Sequence, residues 1–285
     1  MNSDLVFSGC HDKIGCIRID AMDSLAKLQR NWERLAKIDP LWSIFADPQK
    51  HGGRWTNEEL FAAGRAEVAT VVGYLRSIGF APDNTAPALD FGCGIGRLTR
   101  ALAQRFPECW GVDISPTMIR LAEELNRGNP RCKFWLNDTD RLEKFPSAYF
   151  GFIYTNITLP HIPKPHSVNY LKEFARVLRP RGILVFQVAD SDKSGVIVQT
   201  IASFIGFCLK WKSILGRSSI IDSFHMGMHC MTEEEVRDAL SRAALRILDV
   251  KVTNASQVTF NGDLRFLERE PQDGCVSKQY CAIKN

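Results

Sequence analysis

Three glycines separated by single residues, Gly92, Gly94 and Gly96, follow directly on an apolar run that closes in Asp90 and Phe91. Glycine at such a turn reaches positive φ without steric cost and leaves no side chain between backbone N–H groups and a ligand. A helix that starts on the far side of the turn points its N-terminus at it, where polar or anionic groups are favoured. A second carboxylate, Asp113, ends the next apolar run, at the separation of about twenty residues where nucleotide-binding α/β proteins place the acid that holds the ribose. Ile114 and Met118 beside it offer an apolar surface to a ring. Asn137, Asp138 and Thr139 close a third run, and Thr155 and Asn156 a fourth. Together these residues form the binding set for a nucleotide-type cofactor. His161, just past the fourth run, has the neutral-range pKa of a general base. His225 is the second candidate for that role. Trp42, Trp55, Tyr154, Met228 and His229, with His161 and His225, are the candidates for holding a substrate.

The spacing narrows the cofactor. A dinucleotide fingerprint reads G-x-G-x-x-G, which counted from Gly92 puts Arg97 where the third glycine belongs. The elements that must carry these residues follow from periodicity. Leu25, Leu28, Trp32, Leu35 and Ile38 recur at helical spacing until Pro40. An aromatic loop holding Trp42, Phe45 and Trp55 follows, and Thr56 with Glu59 forms a capping box for a helix that ends at Gly79. From Ala88 onward, apolar runs alternate with helical segments: Ala88–Phe91, Cys109–Ile114, Cys132–Leu136, Tyr149–Ile157 and Ile183–Val188 read as five strands of an open parallel sheet. Pro180 and Gly182 predict a turn before the fifth. Ile247–Asn254 and Lys278–Lys284 read as a closing antiparallel pair, with a polar loop from Asp263 to Gly274 between them. Thr232 and Glu235 form a second capping box.

The glycine motif after its acidic strand end, Asp113, and the text YLKEFARVLRPRGILVFQVAD resemble the class I S-adenosylmethionine-dependent methyltransferases. The resemblance implies an α/β, Rossmann-like sheet, mostly parallel with seven strands and the last antiparallel. It implies S-adenosylmethionine as cofactor, with S-adenosylhomocysteine as product, and gives Asp138 the adenine amino group. The wording DPLWSIF, GGRW and LFAAG resembles the N-terminal cap of bacterial methyltransferases, which implies that Trp42, Trp55, Phe61 and Gly64 lie near the cofactor entrance. Gly151 departs from the family, which usually has Asp at the start of the fourth strand. Residues 1–82 are then a helical cap and 83–285 the cofactor-binding domain, with a lid insertion at 191–231. That insertion carries VIVQTIASFIGFCL, too short and too interrupted by Gln199 and Ser203 to span a bilayer; it reads as a substrate-covering helix, with interfacial membrane contact as the alternative.

Composition limits the partners. Among 285 residues the formal net charge is +4 with no long run of like charge, so no nucleic-acid track is expected. Nine scattered cysteines without a C-x-x-C pair fit a reducing, cytoplasmic setting, and Cys10, His11 and Cys16 match no zinc pattern, so no metal is expected. The first twenty residues do not read as a secretion signal. The stretch Asn156-Ile157-Thr158-Leu159 stands where nucleobase amine methyltransferases carry N/D-P-P-Y/F, and a small molecule with an apolar body is the expected substrate, methylated on O or N rather than C. An NAD(P)-dependent oxidoreductase and a non-catalytic binding or scaffold protein on the same fold are the alternatives. A monomer or homodimer is expected.

Overall fold

A computed structural model describes residues 21–45, 47–190, 228–257, 260–271 and 275–285. Cys10, His11, Cys16, His225 and the insertion as far as residue 227 lie outside these described residues.

The chain begins with α1 (Ala21–Ile38), α2 (Trp42–Phe45) and α3 (Asn57–Ser77). On α1, Leu25, Leu35 and Ala36 are buried, while Lys27, Arg30, Arg34 and Lys37 face solvent. The expected capping box starts α3: Thr56 accepts from the Glu59 amide and Glu59 accepts from the Thr56 amide. Its buried stripe runs Leu60, Val68, Val71, Val72 and Leu75. Gly79 ends the segment at φ 83°, a left-handed position that suits glycine.

An eight-stranded sheet follows in the order β3-β2-β1-β4-β5-β8-β6-β7. Strands β1 (Ala88–Phe91), β2 (Cys109–Asp113), β3 (Cys132–Leu136), β4 (Phe150–Thr155) and β5 (Leu178–Asp190) pair in parallel. Helices α4 (Arg97–Leu102), α5 (Pro116–Leu125) and α6 (Lys164–Val177) make the crossovers. Helix α7 (Glu233–Arg242) leads into β6 (Leu245–Thr253), and β8 (Val276–Lys284) lies antiparallel between β5 and β6. Apolar side chains cover both faces of the sheet, one cluster around Val68, Leu102 and Phe152, the other around Leu89, Phe174 and Leu240. This is the Rossmann-like class I arrangement expected from the sequence.

Two details differ from the sequence reading. The eighth strand is β7 (Phe266–Leu267), a two-residue pairing with the end of β6 inside the stretch expected to be loop. The R-P-R-G segment is not a turn ahead of the fifth strand but an irregularity within β5. Phe150 pairs with Leu178 and Phe152 with Ile183, with Arg181 at φ 63° absorbing the extra residues. Gly151 has a packing reason: a Cβ there would lie 2.6 Å from the Asp83 carbonyl oxygen, so no side chain of any kind fits.

Candidate functional site

At the carboxyl edge of the sheet, where β1 and β4 diverge to opposite sides, lies a pocket of about 960 Å³ including its open mouth. This is the end of an open α/β sheet where ligands gather. Its floor is Phe91, Gly92, Cys93 and Gly94; Asp113 to Ser115 and Met118 form one wall, Asn156 to Thr158 the other. The roof comes from the N-terminal segment: Leu25, Leu28 and Trp32 of α1 with Ser43 and Ile44 of α2.

The glycine turn is built by backbone bonds. The amides of Gly92 and Cys93 both donate to the Val112 carbonyl, at 2.8 and 3.0 Å. All three glycines have positive φ, 77°, 52° and 81° in order, which β-carbon sterics would resist. They differ in what lies beside them. A Cβ on Gly94 would meet nothing closer than the Ile44 side chain at 3.7 Å, toward the pocket. On Gly96 it would strike the Phe134 ring at 2.8 Å, so this glycine serves the packing of β3 and does not line the pocket.

Asp113 sits at the hinge of floor and wall. Its Oδ2 accepts from the Gly94 amide and its Oδ1 from the Ser115 amide, both at 2.9 Å. Burial raises its pKa, and the amides of Ser115 and Gly94 act against that rise. Ionised, each oxygen retains a further lone pair for a ligand hydroxyl. Ser115 caps α5 by accepting from the Met118 amide, which fixes Ile114 and Met118 in the wall. Asp90, by contrast, is fully buried beneath the turn: Oδ2 accepts from Thr99 Oγ1 at 2.6 Å, and burial pushes its pKa up to about 7. It supports the turn from below and reaches no ligand space.

The N-terminal segment is fastened to this wall. Glu33 of α1 accepts from Ser115 Oγ at 2.7 Å and from the Thr117 amide and hydroxyl at 3.0 and 2.7 Å, and Gln29 Nε2 donates to the Ile114 carbonyl at 3.2 Å. Burial tends to raise the Glu33 pKa, but the bonds from Thr117 and Ser115 outweigh it and hold it at about 2.

Behind the opposite wall is a buried ionic cluster that the sequence reading missed. Glu67 of α3 is fully buried and accepts from Arg97 at 2.7 Å, from the Tyr154 hydroxyl at 2.8 Å and from Asn156 Nδ2 at 2.9 Å. Arg97 also stacks over the Phe45 ring at 4.6 Å. Because Glu67 only accepts, it fixes the Asn156 amide, and Asn156 Oδ1 is left buried without a hydrogen-bond partner in the pocket lining. The α3–α4 contact that builds the cluster is close: a Cβ on Gly64 would lie 2.4 Å from the Arg97 carbonyl oxygen.

Of the residues expected to hold a cofactor, Gly92, Gly94, Asp113, Ile114, Met118, Asn137 and Asn156 share the pocket lining. Asp90, Gly96, Asp138, Thr139 and Thr155 are not in it. Asp138 and Thr139 are exposed beyond the end of β3, and Thr155 is buried. Asn137 is held by donating to the Thr139 carbonyl at 2.7 Å and to the Tyr170 hydroxyl at 3.2 Å. None of the described residues expected to hold substrate lines it. Tyr154 points into the core toward Glu67, and burial raises its pKa well above the usual phenol range, with the Glu67 charge adding to the rise. Trp42 donates to the Asp47 carbonyl at 2.8 Å, and Trp55 is buried against Phe45. His161 packs edge to face on Trp32 at 5.4 Å; Trp32 lines the pocket and His161 does not. The His229 amide donates to the Pro160 carbonyl at 2.6 Å, and its ring pKa is lowered by burial and by Lys164. Met228 is exposed beside it. Among the described residues no helix is long and apolar enough to cross a membrane.

Residues 88–182 match a family described as "Methyltransferase domain". The chain is 38% identical over 103 residues to a 2-methyl-6-phytyl-1,4-hydroquinone methyltransferase of Synechocystis, covering 36% of this chain and 31% of that protein. It is 31% identical over 117 residues to a malonyl-[acyl-carrier protein] O-methyltransferase of Halalkalibacterium halodurans, covering 39% and 42%. The match thus spans less than half the length of these curated relatives. In fold the chain is similar to the magnesium protoporphyrin IX methyltransferase of Synechocystis with bound S-adenosylhomocysteine, with TM-score 0.57 at 18% identity over 92% of this chain and all of that one. It is also similar to phosphoethanolamine N-methyltransferase 1 of Haemonchus contortus, with TM-score 0.59 at 15% identity over 92% and 49%.

Proposed function

We propose that the methyltransferase domain matched by residues 88–182 binds S-adenosylmethionine in the pocket under α1 and methylates an O or N atom of a small molecule with an apolar body. The observation that carries this reading is the Asp113 carboxylate, held by the Gly94 and Ser115 amides at the edge of a turn whose Gly94 opens on the pocket. The donor set fits the cofactor. Asp113 would take the ribose hydroxyls, Ile114 and Met118 the adenine face, and Asn137 an adenine edge. The orphaned Asn156 Oδ1 is an acceptor in want of a donor, a role the ammonium of the methionine end would fill. When bound, S-adenosylmethionine supplies a methyl group on a sulfonium, open to in-line displacement.

What the chain itself contributes is orientation and exclusion of water. Leu25, Leu28, Trp32 and Ile44 make an apolar roof, which suits an acceptor with an apolar body and removes water from around the transferred group. Positioning of this kind can supply much of the rate of a displacement. The ionisable side chains in the described lining are Cys93, Arg97, Asp113 and Tyr170. Burial raises the pKa of Cys93 well above the usual thiol range and also raises that of Tyr170, and Asp113 is engaged by amides. Among these described residues none is poised as a general base. His161 acts, in this reading, through Trp32.

Titration calorimetry with S-adenosylmethionine and S-adenosylhomocysteine tests the proposal, with mass spectrometry of co-purifying small molecules as a second readout. Protection from thermal unfolding by NADH and not by S-adenosylmethionine would replace it with the oxidoreductase reading.

A further inference from the structure

The Glu67–Arg97 pair is nearly sealed from water, with side chains 0% and 5% exposed. Burying such a pair is costly, and it contributes little net stability compared with apolar residues of similar volume. Its partners give it a different significance. Arg97 and Asn156 line the pocket, while Glu67 stands directly behind both. Of the described lining side chains, Arg97 is the cation and Asp113 the carboxylate. Without Glu67 those two would cancel; with it, one cation faces two carboxylates, and the site carries an excess negative charge. Asp90 lies beneath the turn, outside the lining; burial pushes its pKa up to about 7, so at pH 7.5 it adds to the negative side of this count and does not offset Glu67.

We propose that Glu67 is a specificity-determining residue: by neutralising Arg97 from behind, it lets the pocket hold a ligand bearing net positive charge in preference to its neutral counterpart. The inference rests on the S-adenosylmethionine reading above. S-adenosylmethionine at neutral pH carries a sulfonium, an ammonium and a carboxylate, one net positive charge, whereas S-adenosylhomocysteine lacks the sulfonium charge and is neutral. The two are otherwise nearly the same molecule, so their affinity ratio reads charge and little else. The role belongs to a helix outside the domain match, since Glu67 precedes residue 88.

The test measures both dissociation constants by calorimetry at pH 7.5 for the wild type, Glu67→Gln, Arg97→Gln, the double variant and Glu67→Asp. A unit charge acting across roughly 10 Å at an effective dielectric of about 20 changes an equilibrium constant about tenfold. Glu67→Gln should therefore raise the ratio Kd(S-adenosylmethionine)/Kd(S-adenosylhomocysteine) by about tenfold, and Arg97→Gln should lower it by a similar factor. The double variant should return it to near the wild-type ratio, and Glu67→Asp, which keeps the charge, should preserve it even where both affinities weaken. Damage to the fold moves both constants together and cannot give shifts of opposite sign. Removing one member of a buried pair is destabilising. If Glu67→Gln fails to fold, Arg97→Gln and the neutral double variant decide the matter. A ratio within twofold of wild type in every folded single variant overturns the inference while leaving the cofactor reading intact. A wild type that binds neither ligand overturns both.

Discussion

Glu33 offers the sharpest perturbation of the roof. Its carboxylate is the only described group on α1 that receives three hydrogen bonds from the start of α5: Ser115 Oγ, the Thr117 amide and the Thr117 hydroxyl, all within 3.0 Å. A hydrogen bond to a charged group is worth about 1.5–3 kcal/mol net when buried. Glu33 is 19% exposed and water replaces part of what is lost, so Glu33→Ala should weaken the attachment of α1 by about 2 kcal/mol, not by three full bonds. That corresponds to an increase of roughly 30-fold in the open population of α1. Amide hydrogen exchange across residues 25–38 should therefore accelerate by about that factor while the β1 and β4 amides keep their protection. Adding Thr117→Ala to Glu33→Ala should cost little more, since the two share one interaction. The pH dependence has a definite sign. With the Glu33 pKa depressed in the folded state to about 2, the clasp is at full strength above the unfolded value of about 4.3 and is lost as the pH falls through about 2. The stability difference between wild type and Glu33→Ala should thus be constant from pH 8 to 5 and shrink below it. Unchanged α1 exchange in Glu33→Ala, or a difference independent of pH down to 2, would refute the reasoning.

Other perturbations separate the neighbouring roles. Asp113→Ala should weaken S-adenosylmethionine binding at least tenfold while the protein still unfolds cooperatively; unchanged affinity in the folded variant would remove Asp113 from the ribose site. His161→Ala should lower kcat less than threefold and leave the shape of the pH–rate profile between 6 and 9 unaltered, because this ring packs on Trp32 and is not among the residues lining the pocket; loss of one limb of the profile would restore it as a base. Gly64→Ala should destabilise by about 1–3 kcal/mol through overpacking against the Arg97 backbone, seen as a melting temperature lowered by several degrees. A melting point equal to wild type would mean that the α3–α4 contact yields more easily than its geometry indicates.

What could be read from the sequence followed from local physics. The glycine turn, both capping boxes and the apolar strand runs each depend on residues within a few positions of one another; apart from β7 and the start of β5, which lies at Leu178 and not at Ile183, they were placed within a residue or two. The face presented by β4 was not legible, because all six of its residues are buried and a strand covered on both sides shows no alternation to tell inward from outward. Tyr154 therefore read as a pocket residue and is a core residue. Glu67 was invisible for another reason. A single acid in a helix reads as solvent-facing until its partners, 30, 87 and 89 residues away, are brought to it by the sheet. The third glycine and Asp90 were recognised by pattern; in the structure Gly96 admits Phe134 and Asp90 holds Thr99, and neither lines the pocket.

The position of β8 bears on how the molecule is assembled. It follows β6 in the chain and yet lies between β5 and β6, pairing with eight residues on each side. Until it arrives, β5 and β6 each present an unsaturated backbone edge, with Phe186 and Val188 of β5 among the apolar side chains uncovered. Pairings this remote in sequence form slowly, and unpaired apolar edges invite association between chains. Folding yield should therefore depend on protein concentration. It should fall most steeply for substitutions in β8, such as Tyr280 or Ala282, whose side chains are fully buried, even where the cofactor pocket on the far side of β5 is untouched.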